Sequence, residues 1–340
     1  MKIITTHQLT KVYPGGTKAV DSVDFDVEAG EIFGFLGPNG AGKTTTIKML
    51  NTLIQPTSGT AVVAGFDVQQ NPVELRQHIG YVAQDVGVDE HATGRENLEL
   101  YGRFYRLDGK TIKKRVTDLF NLLELSGYEN KMVATYSGGM RKRLDIAMGL
   151  IHQPDVIFLD EPTVGLDPQT RAHIWDYIRN MAKAMGTTIF LTTHYMEEAD
   201  RLADRIAIID SGKIITIGTP DQLKQSIRGD VVTLSPCAMK NDECKELIKR
   251  IQQLLSAQPF VLGTQATDGE LAVYVDKGES AVPGIMRLLV NQNIEIKTIS
   301  VARPTLDDVF LKYTGRTIRP GEGAPTTSAQ IQRKRTRSHK

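Results

Sequence analysis

The stretch EIFGFLGPNGAGKTTTIKML, Glu31 to Leu50, decides the architecture. Ile32 to Leu36 form an apolar run of strand length, glycines stand at 37, 40 and 42, and Ile47, Leu50 and Ile54 recur at helical spacing after Thr45. A strand, a glycine loop and a helix in that order, with G-x-x-x-x-G-K-[ST] in the loop, make a cradle for phosphate. Glycine takes backbone conformations that leave no room for a Cβ, so several N–H groups can turn toward one point, and the helix N-terminus adds partial positive charge. Gly37, Pro38, Asn39, Gly40, Ala41, Gly42, Lys43, Thr44 and Thr45 are the expected nucleotide contacts. Lys43 is expected on the β and γ phosphates, and the Thr44 hydroxyl on Mg²⁺. A chain of this length meets the pattern by accident about 1% of the time, and a purely structural glycine turn is the alternative.

Outward from that loop, a second apolar strand, Val156 to Leu159, ends in Asp160 and Glu161, followed by Pro162. Carboxylates at the carboxyl end of a parallel strand face the crevice where such sheets bind ligands. Asp160 is expected to complete the Mg²⁺ shell, and Glu161 to take the proton of the water that attacks the γ phosphate. Alone, an acidic pair closing a strand is ordinarily a solvated strand end. Beside a phosphate loop it becomes a candidate catalytic pair.

Between the two lies YSGGMRKRLDIAMGLIHQPDVIFLDEPTVGLD, Tyr136 to Asp167. It resembles the signature of ATP-binding cassette (ABC) ATPases, with Ser137, Gly138 and Gly139 in the LSGGQ-like position. The same resemblance accounts for residues elsewhere. Tyr13 looks like the aromatic that stacks on adenine, Gln84 in YVAQD like the Q-loop, Asp167 in GLD like the D-loop, and His194 in LTTHYMEEAD like the switch histidine. It covers about residues 1 to 220. It implies ATP and Mg²⁺ as cofactors, Gln84 and His194 in the catalytic centre beside Glu161, and Gln84 joining Thr44 and Asp160 around the metal. It also implies a head-to-tail homodimer in which the signature of one copy closes over ATP held by the other. Met140 departs from the commoner Gln and removes a hydrogen-bond donor, while Ser137 and the glycine N–H groups remain. Leu144, Ala147, Met148 and Ile151 follow at helical spacing, which puts Ser137 at a helix N-terminus, an anion-attracting position.

The implied fold is α/β: a RecA-like P-loop core with an antiparallel β subdomain and a helical insertion over about 88–152. In the insertion, Val116, Leu119, Phe120, Leu122, Leu123 and Leu125 crowd one helical region. Its stretch VDEHATGRENLELYGRFYRL, from Val88, looks most like the daunorubicin-type drug resistance ATPases, exporters with a separate transmembrane permease subunit. Beyond 220 the pattern changes. Periodicity gives a strand at Val231 to Leu234, a helix through Leu247, Ile248, Ile251 and Leu255, and strands near Phe260 and at Leu271 to Val275. A helix around Ile285 to Leu289 and a strand from Ile294 to Val301 complete it. That order is β-α-β-β-α-β, a ferredoxin-like α+β plan over 221–315. A last short helix has Thr305 as cap and Asp308 in the capping-box position. PTLDDVFLKYTGR also resembles the carboxyl-terminal extension of the exporter subfamily; nothing catalytic is visible in that domain, and a dimerisation or regulatory surface is the reading, with a passive stabilising lobe as the alternative.

Composition bounds the rest. The 340 residues suggest two domains, and 40% apolar with 24% charged residues excludes collagen-like and disordered classes. Forty-one Lys and Arg against 40 Asp and Glu removes the simplest case for a nucleic-acid partner, and none is expected. The balance is uneven: residues 316–340 hold seven basic side chains and one acidic, leaving 34 basic against 39 acidic in the first 315 residues. That tail is expected to be disordered, with contact to anionic lipids as its functional reading. Only Cys237 and Cys244 could pair, which is no disulfide framework and favours a reducing compartment. No apolar run nears the ~20 residues that span a bilayer, so the expected place is the cytoplasm, peripheral on the inner face of the plasma membrane. The expected function is the ATP-hydrolysing subunit of an exporter for a drug, lipid or other small amphiphile. The alternatives are a soluble ABC ATPase acting on ribosomes or DNA, and a transporter subunit of importer polarity.

Overall fold

The computed structural model describes residues 1–227, 229–236, 242–267 and 269–315. The basic tail, 316–340, lies outside the described residues. The chain divides into a first unit, Met1–Thr216, and a second that begins at Ile217.

The first unit opens with β1 (Lys2–Val12), β2 (Lys18–Glu28), β3 (Ile32–Leu36), α1 (Lys43–Leu50), β4 (Ser58–Val63), β5 (Phe66–Asp67), α2 (Pro72–His78) and β6 (Ile79–Val82). Then follow α3 (Gly94–Phe104), α4 (Gly109–Leu122), a 3₁₀ turn at Val133–Thr135, α5 (Gly138–Leu150) and β7 (Val156–Asp160). It closes with α6 (Pro168–Met185), β8 (Thr188–Thr193), α7 (Met196–Leu202), β9 (Arg205–Asp210) and β10 (Lys213–Gly218).

Two sheets result. One, β2-β1-β4-β5, is antiparallel, and its β2 alternates buried and exposed residues as a sheet with one wet face must. The other, β10-β9-β3-β8-β7-β6, has parallel pairings from β9 through β6. Every residue of β3, β7 and β8 is buried, which is why they read as unbroken apolar runs. Phe25 of β2 meets Phe33, Phe35 and Phe190 of the parallel sheet at centroid distances of 5.7, 5.6 and 5.9 Å, so the two sheets share an aromatic core.

α3, α4 and α5 form the helical insertion. Val116, Leu119, Phe120, Leu123 and Leu125 are buried with Leu144 and Trp175 in one cluster, while Leu122 is only partly buried. α1 ends at Leu50, so Ile54 is not part of it; the Ile54 amide instead folds back to the Lys48 carbonyl in the turn that follows.

The second unit contains α8 (Pro220–Gln225), β11 (Asp230–Ser235), α9 (Asp242–Ser256), β12 (Val261–Thr267), β13 (Glu270–Val275), α10 (Gly278–Asn291), β14 (Thr298–Ala302) and α11 (Leu306–Thr314). The sheet order β12-β13-β11-β14, antiparallel throughout, is that of a ferredoxin-like fold. Its last strand starts at Thr298 rather than at Ile294. Asn293 sits at φ 53° and the Ile294 amide bonds the Leu289 carbonyl, so Ile294 is buried as the plug that ends α10, not as a strand residue. The Thr305–Asp308 capping box is formed. Cys244 is buried and disulfide-bonded, which is not the free thiol that a reducing compartment favours; Cys237 lies outside the described residues. No helix among the described residues is long and apolar enough to cross a membrane.

Candidate functional site

The phosphate loop joins the carboxyl end of β3 to α1, and two of its glycines are sterically required. A Cβ on Gly42, at φ 107°, would lie 2.4 Å from the Ala19 carbonyl oxygen, and one on Gly37 2.3 Å from that of Ile209. The loop therefore wraps tightly enough for its N–H groups to converge. Inside it Lys43, 4% exposed, donates to the Gly37 and Pro38 carbonyls at 2.8 and 3.1 Å and pairs with Glu161 Oε1 at 3.1 Å. Three partners match the three ammonium donors. Burial pushes the Lys43 pKa down against the pull of Glu161 and Asp160.

Glu161 is reached from three sides. Its Oε2 lies 3.2 Å from His194 Nδ1. Its backbone, at φ 47°, is in the left-handed region that a residue with a Cβ occupies only under constraint. The constraint is visible: the Glu161 amide donates to the Thr192 carbonyl and hydroxyl, each at 3.1 Å, and the Glu161 carbonyl accepts from the Val164 amide. Burial pushes the Glu161 carboxyl up, but the His194 hydrogen bond and Lys43 together hold it below the ordinary carboxylate value.

One residue earlier, Asp160 Oδ1 accepts from the Thr192 hydroxyl at 2.6 Å and from Thr44 at 3.2 Å. A hydroxyl and a carboxylate at this distance are the hard oxygen donors that fit Mg²⁺, an ion that keeps most of its shell for water and phosphate. Among the described residues no group of three His, Cys, Asp or Glu gathers as a metal cage. Lys43, Thr44, Asp160, Glu161 and His194 are thus brought together by the adjacent strands β3, β8 and β7.

The other predicted residues stand around this centre. Tyr13 is partly exposed, with its hydroxyl 3.5 Å from Thr45 Oγ1, so its ring stands at the start of α1. Gln84 is exposed just past the carboxyl end of β6, the strand next to β7. Ser137 caps α5 by accepting from the Met140 amide. The signature packs closely on α6: a Cβ on Gly139 would lie 2.7 Å from Thr170 Cγ2. Asp167 caps α6 through the Thr170 amide and hydroxyl, bonds that hold its carboxyl below the ordinary value.

Sequence reasoning missed Thr192, which holds the Asp160 carboxylate and the Glu161 backbone, and Glu198. Fully buried, Glu198 accepts from Thr163 at 2.7 Å and Trp175 at 2.9 Å. A signal for Thr192 was present, since each hydroxyl in a fully buried strand such as TIFLTT needs a partner.

Known proteins resemble this chain over nearly its whole length. The ABC transporter profile matches residues 20–164, and the profile of the ATP-binding protein DrrA1-3-like C-terminal domain matches residues 218–314. The daunorubicin/doxorubicin resistance ATP-binding protein DrrA of Streptomyces peucetius is 40% identical over 98% of this chain and 98% of its own. DrrA3 of Streptomyces coeruleorubidus, a daunorubicin resistance ATP-binding protein, is 42% identical over 94% of this chain and 98% of its own. The chain belongs to the ABC transporter ATP-binding proteins. Within them it carries the DrrA-like C-terminal domain and is a nucleotide-binding ATPase, and membership implies a membrane partner. The Nod factor export ATP-binding protein I of Ralstonia nicotianae is a further ABC relative, 37% identical over 93% of this chain and 95% of its own. Among solved ABC structures, cbiO1 from Clostridium perfringens, part of the transporter complex cbiONQ, superposes with a TM-score of 0.63 at 26% identity, covering 75% of this chain and 96% of its own. The cassette MJ0796, a dimer in a post-hydrolysis state with ADP and Pi, superposes with a TM-score of 0.57 at 26% identity, covering 64% of this chain and 98% of its own.

Proposed function

We propose that this ABC ATPase energises export of a small amphiphilic compound through a separate transmembrane permease, from the cytoplasmic face of the membrane. Two copies hold two ATP molecules between them. The observation that carries the reading is the linked set Lys43, Glu161 and His194, with Thr44 and Asp160 alongside, at the crevice end of the parallel sheet. Phosphate oxygens entering the loop compete for the donors that Lys43 now spends on Glu161 and two carbonyls. Glu161, released from the lysine, is then the base for the attacking water. His194 remains on the other carboxylate oxygen, in position to meet the γ phosphate. Mg²⁺, when bound by Thr44 and Asp160 with Gln84 nearby, neutralises phosphate charge.

Exposed Gln84, the outward signature and the capped D-loop residue Asp167 are surfaces that a second copy and a permease complete. The export direction and the breadth of cargo come from relatives whose names tie them to anthracycline resistance and Nod factor export. Membrane fractionation tests the reading: the full chain should pellet with membranes only when its permease is co-expressed, and cells with both should accumulate less of an anthracycline probe. Partner-independent behaviour, with accumulation unchanged, overturns it.

A further inference from the structure

The first unit buries an ion pair outside the nucleotide crevice. Lys142 and Asp145, 3% and 7% exposed, stand one turn apart on α5 with Nζ and Oδ2 3.3 Å from each other. Each also holds a main-chain atom of another segment. Lys142 Nζ donates to the Ala83 carbonyl at 2.9 Å, and the Gly87 amide donates to Asp145 Oδ1 at 3.2 Å. These two atoms bracket Gln84, Asp85 and Val86, all of them exposed.

Stability alone is a poor reason for this arrangement, since the desolvation of two buried charges offsets most of their attraction. Burial indeed pushes the Asp145 carboxyl up against the pull of Lys142 and the Gly87 amide. What the pair does supply is position. α5 lies directly on the strand that leads into the segment: a Cβ on Gly80 would come 2.2 Å from the Gly149 carbonyl oxygen, and one on Gly149 3.1 Å from Val82 Cγ2. The carboxyl half of α5 is thus seated on β6, its middle grips both ends of the Gln84 segment, and its first turn carries Gly138 and Gly139.

We infer that Lys142 and Asp145 are positioning residues that clamp the Gln84 segment to the signature helix, so that the two are displaced together. A push on Gln84 moves the signature as part of one body, and closure of the signature over a nucleotide moves Gln84. The consequence for turnover rests on the functional reading above, whereas the clamp itself does not.

The test uses the full-length protein and the double variant Lys142→Met/Asp145→Leu, which removes both charges and leaves neither unpaired, with Lys142→Arg as the conservative control. Amide hydrogen exchange across residues 81–90 of the double variant should quicken by about tenfold while the strands keep their protection. Its kcat should fall by about tenfold with KM for ATP changed by less than about twofold, because alignment rather than nucleotide binding is lost. Lys142→Arg should retain kcat. Unchanged exchange across 81–90 in a folded double variant overturns the clamp, as does a rise in KM with kcat intact. Should the double variant fail to fold, wild-type exchange decides: a Gly87 amide that opens in step with the α5 amides supports the clamp, and one that exchanges at the rate of the exposed Asp85 and Val86 amides overturns it. A wild-type protein with no ATPase activity would instead sink the functional reading and leave the exchange comparison readable.

Discussion

Glu161 shows how much one residue is asked to do. It carries a strained backbone, an ion pair to Lys43 and a hydrogen bond to His194, and each of these fits a base kept ionised against burial. Glu161→Gln keeps the shape and removes the basicity, so ATP should still bind and dimer accumulate while turnover falls by on the order of 10²-fold. A phosphate-release assay beside nucleotide-dependent gel filtration reads both, and unimpaired release would remove Glu161 from the role. The same carboxyl makes a pH prediction. Its folded pKa lies below the ordinary 4.5, so the stability it contributes is present above that value and is lost as the pH falls through the lower, folded one. In urea melts the difference between wild type and Glu161→Gln should therefore be constant near neutrality and shrink in acid, where the wild-type carboxyl is protonated too.

Elements hold the reacting groups through hydroxyls and carboxyls rather than through apolar packing alone. Thr192 at the end of β8 reaches both acids at the end of β7, and Glu198 on α7 ties the turn after Glu161 to Trp175 on α6. Burial pushes the Glu198 carboxyl up, against the hydroxyls of Thr193 and Thr163 and the indole N–H of Trp175. Replacing it tests that tie. Glu198→Ala leaves two buried donors unsatisfied and a void, at a cost of about 2–4 kcal/mol by denaturant melts. Glu198→Gln keeps the acceptor and should cost less than about 1 kcal/mol. Equal losses for the two variants would show that volume, not hydrogen bonding, is what matters there. At this scale much was legible in advance. Val156 to Leu159 and Ile32 to Leu36 announced themselves as buried strands, and Thr305 with Asp308 as a capping box, because these signals are local. Ile294 misled because an apolar residue that plugs a helix end has the same periodicity as one that begins a strand.

At the scale of the whole molecule we propose an active unit of two chains. In each chain the signature packs against α6, and on this proposal a second copy supplies the groups that close over the phosphates. A Ser137→Arg chain and a Lys43→Ala chain should each be inactive alone, and their mixture should regain hydrolysis at the one site that is intact on both sides. A mixture as inactive as its parts would exclude shared sites. The second unit, with its own sheet and core, holds none of the predicted catalytic or nucleotide-binding residues, and a dimerisation or regulatory surface is our reading of it.

What the amino-acid order determined by itself was everything that depends on near neighbours along the chain: the glycine cradle, the buried strands, the acidic pair, the helix caps and the ABC family to which they point. Only the tertiary structure decided which residues meet. Thr192 lies 32 residues from Asp160, Lys142 59 residues from Ala83, and Glu198 35 from Thr163, and nothing local links them. A buried charge or hydroxyl must find its partner wherever the sheet order and helix packing deliver one, and that delivery is a property of the folded chain.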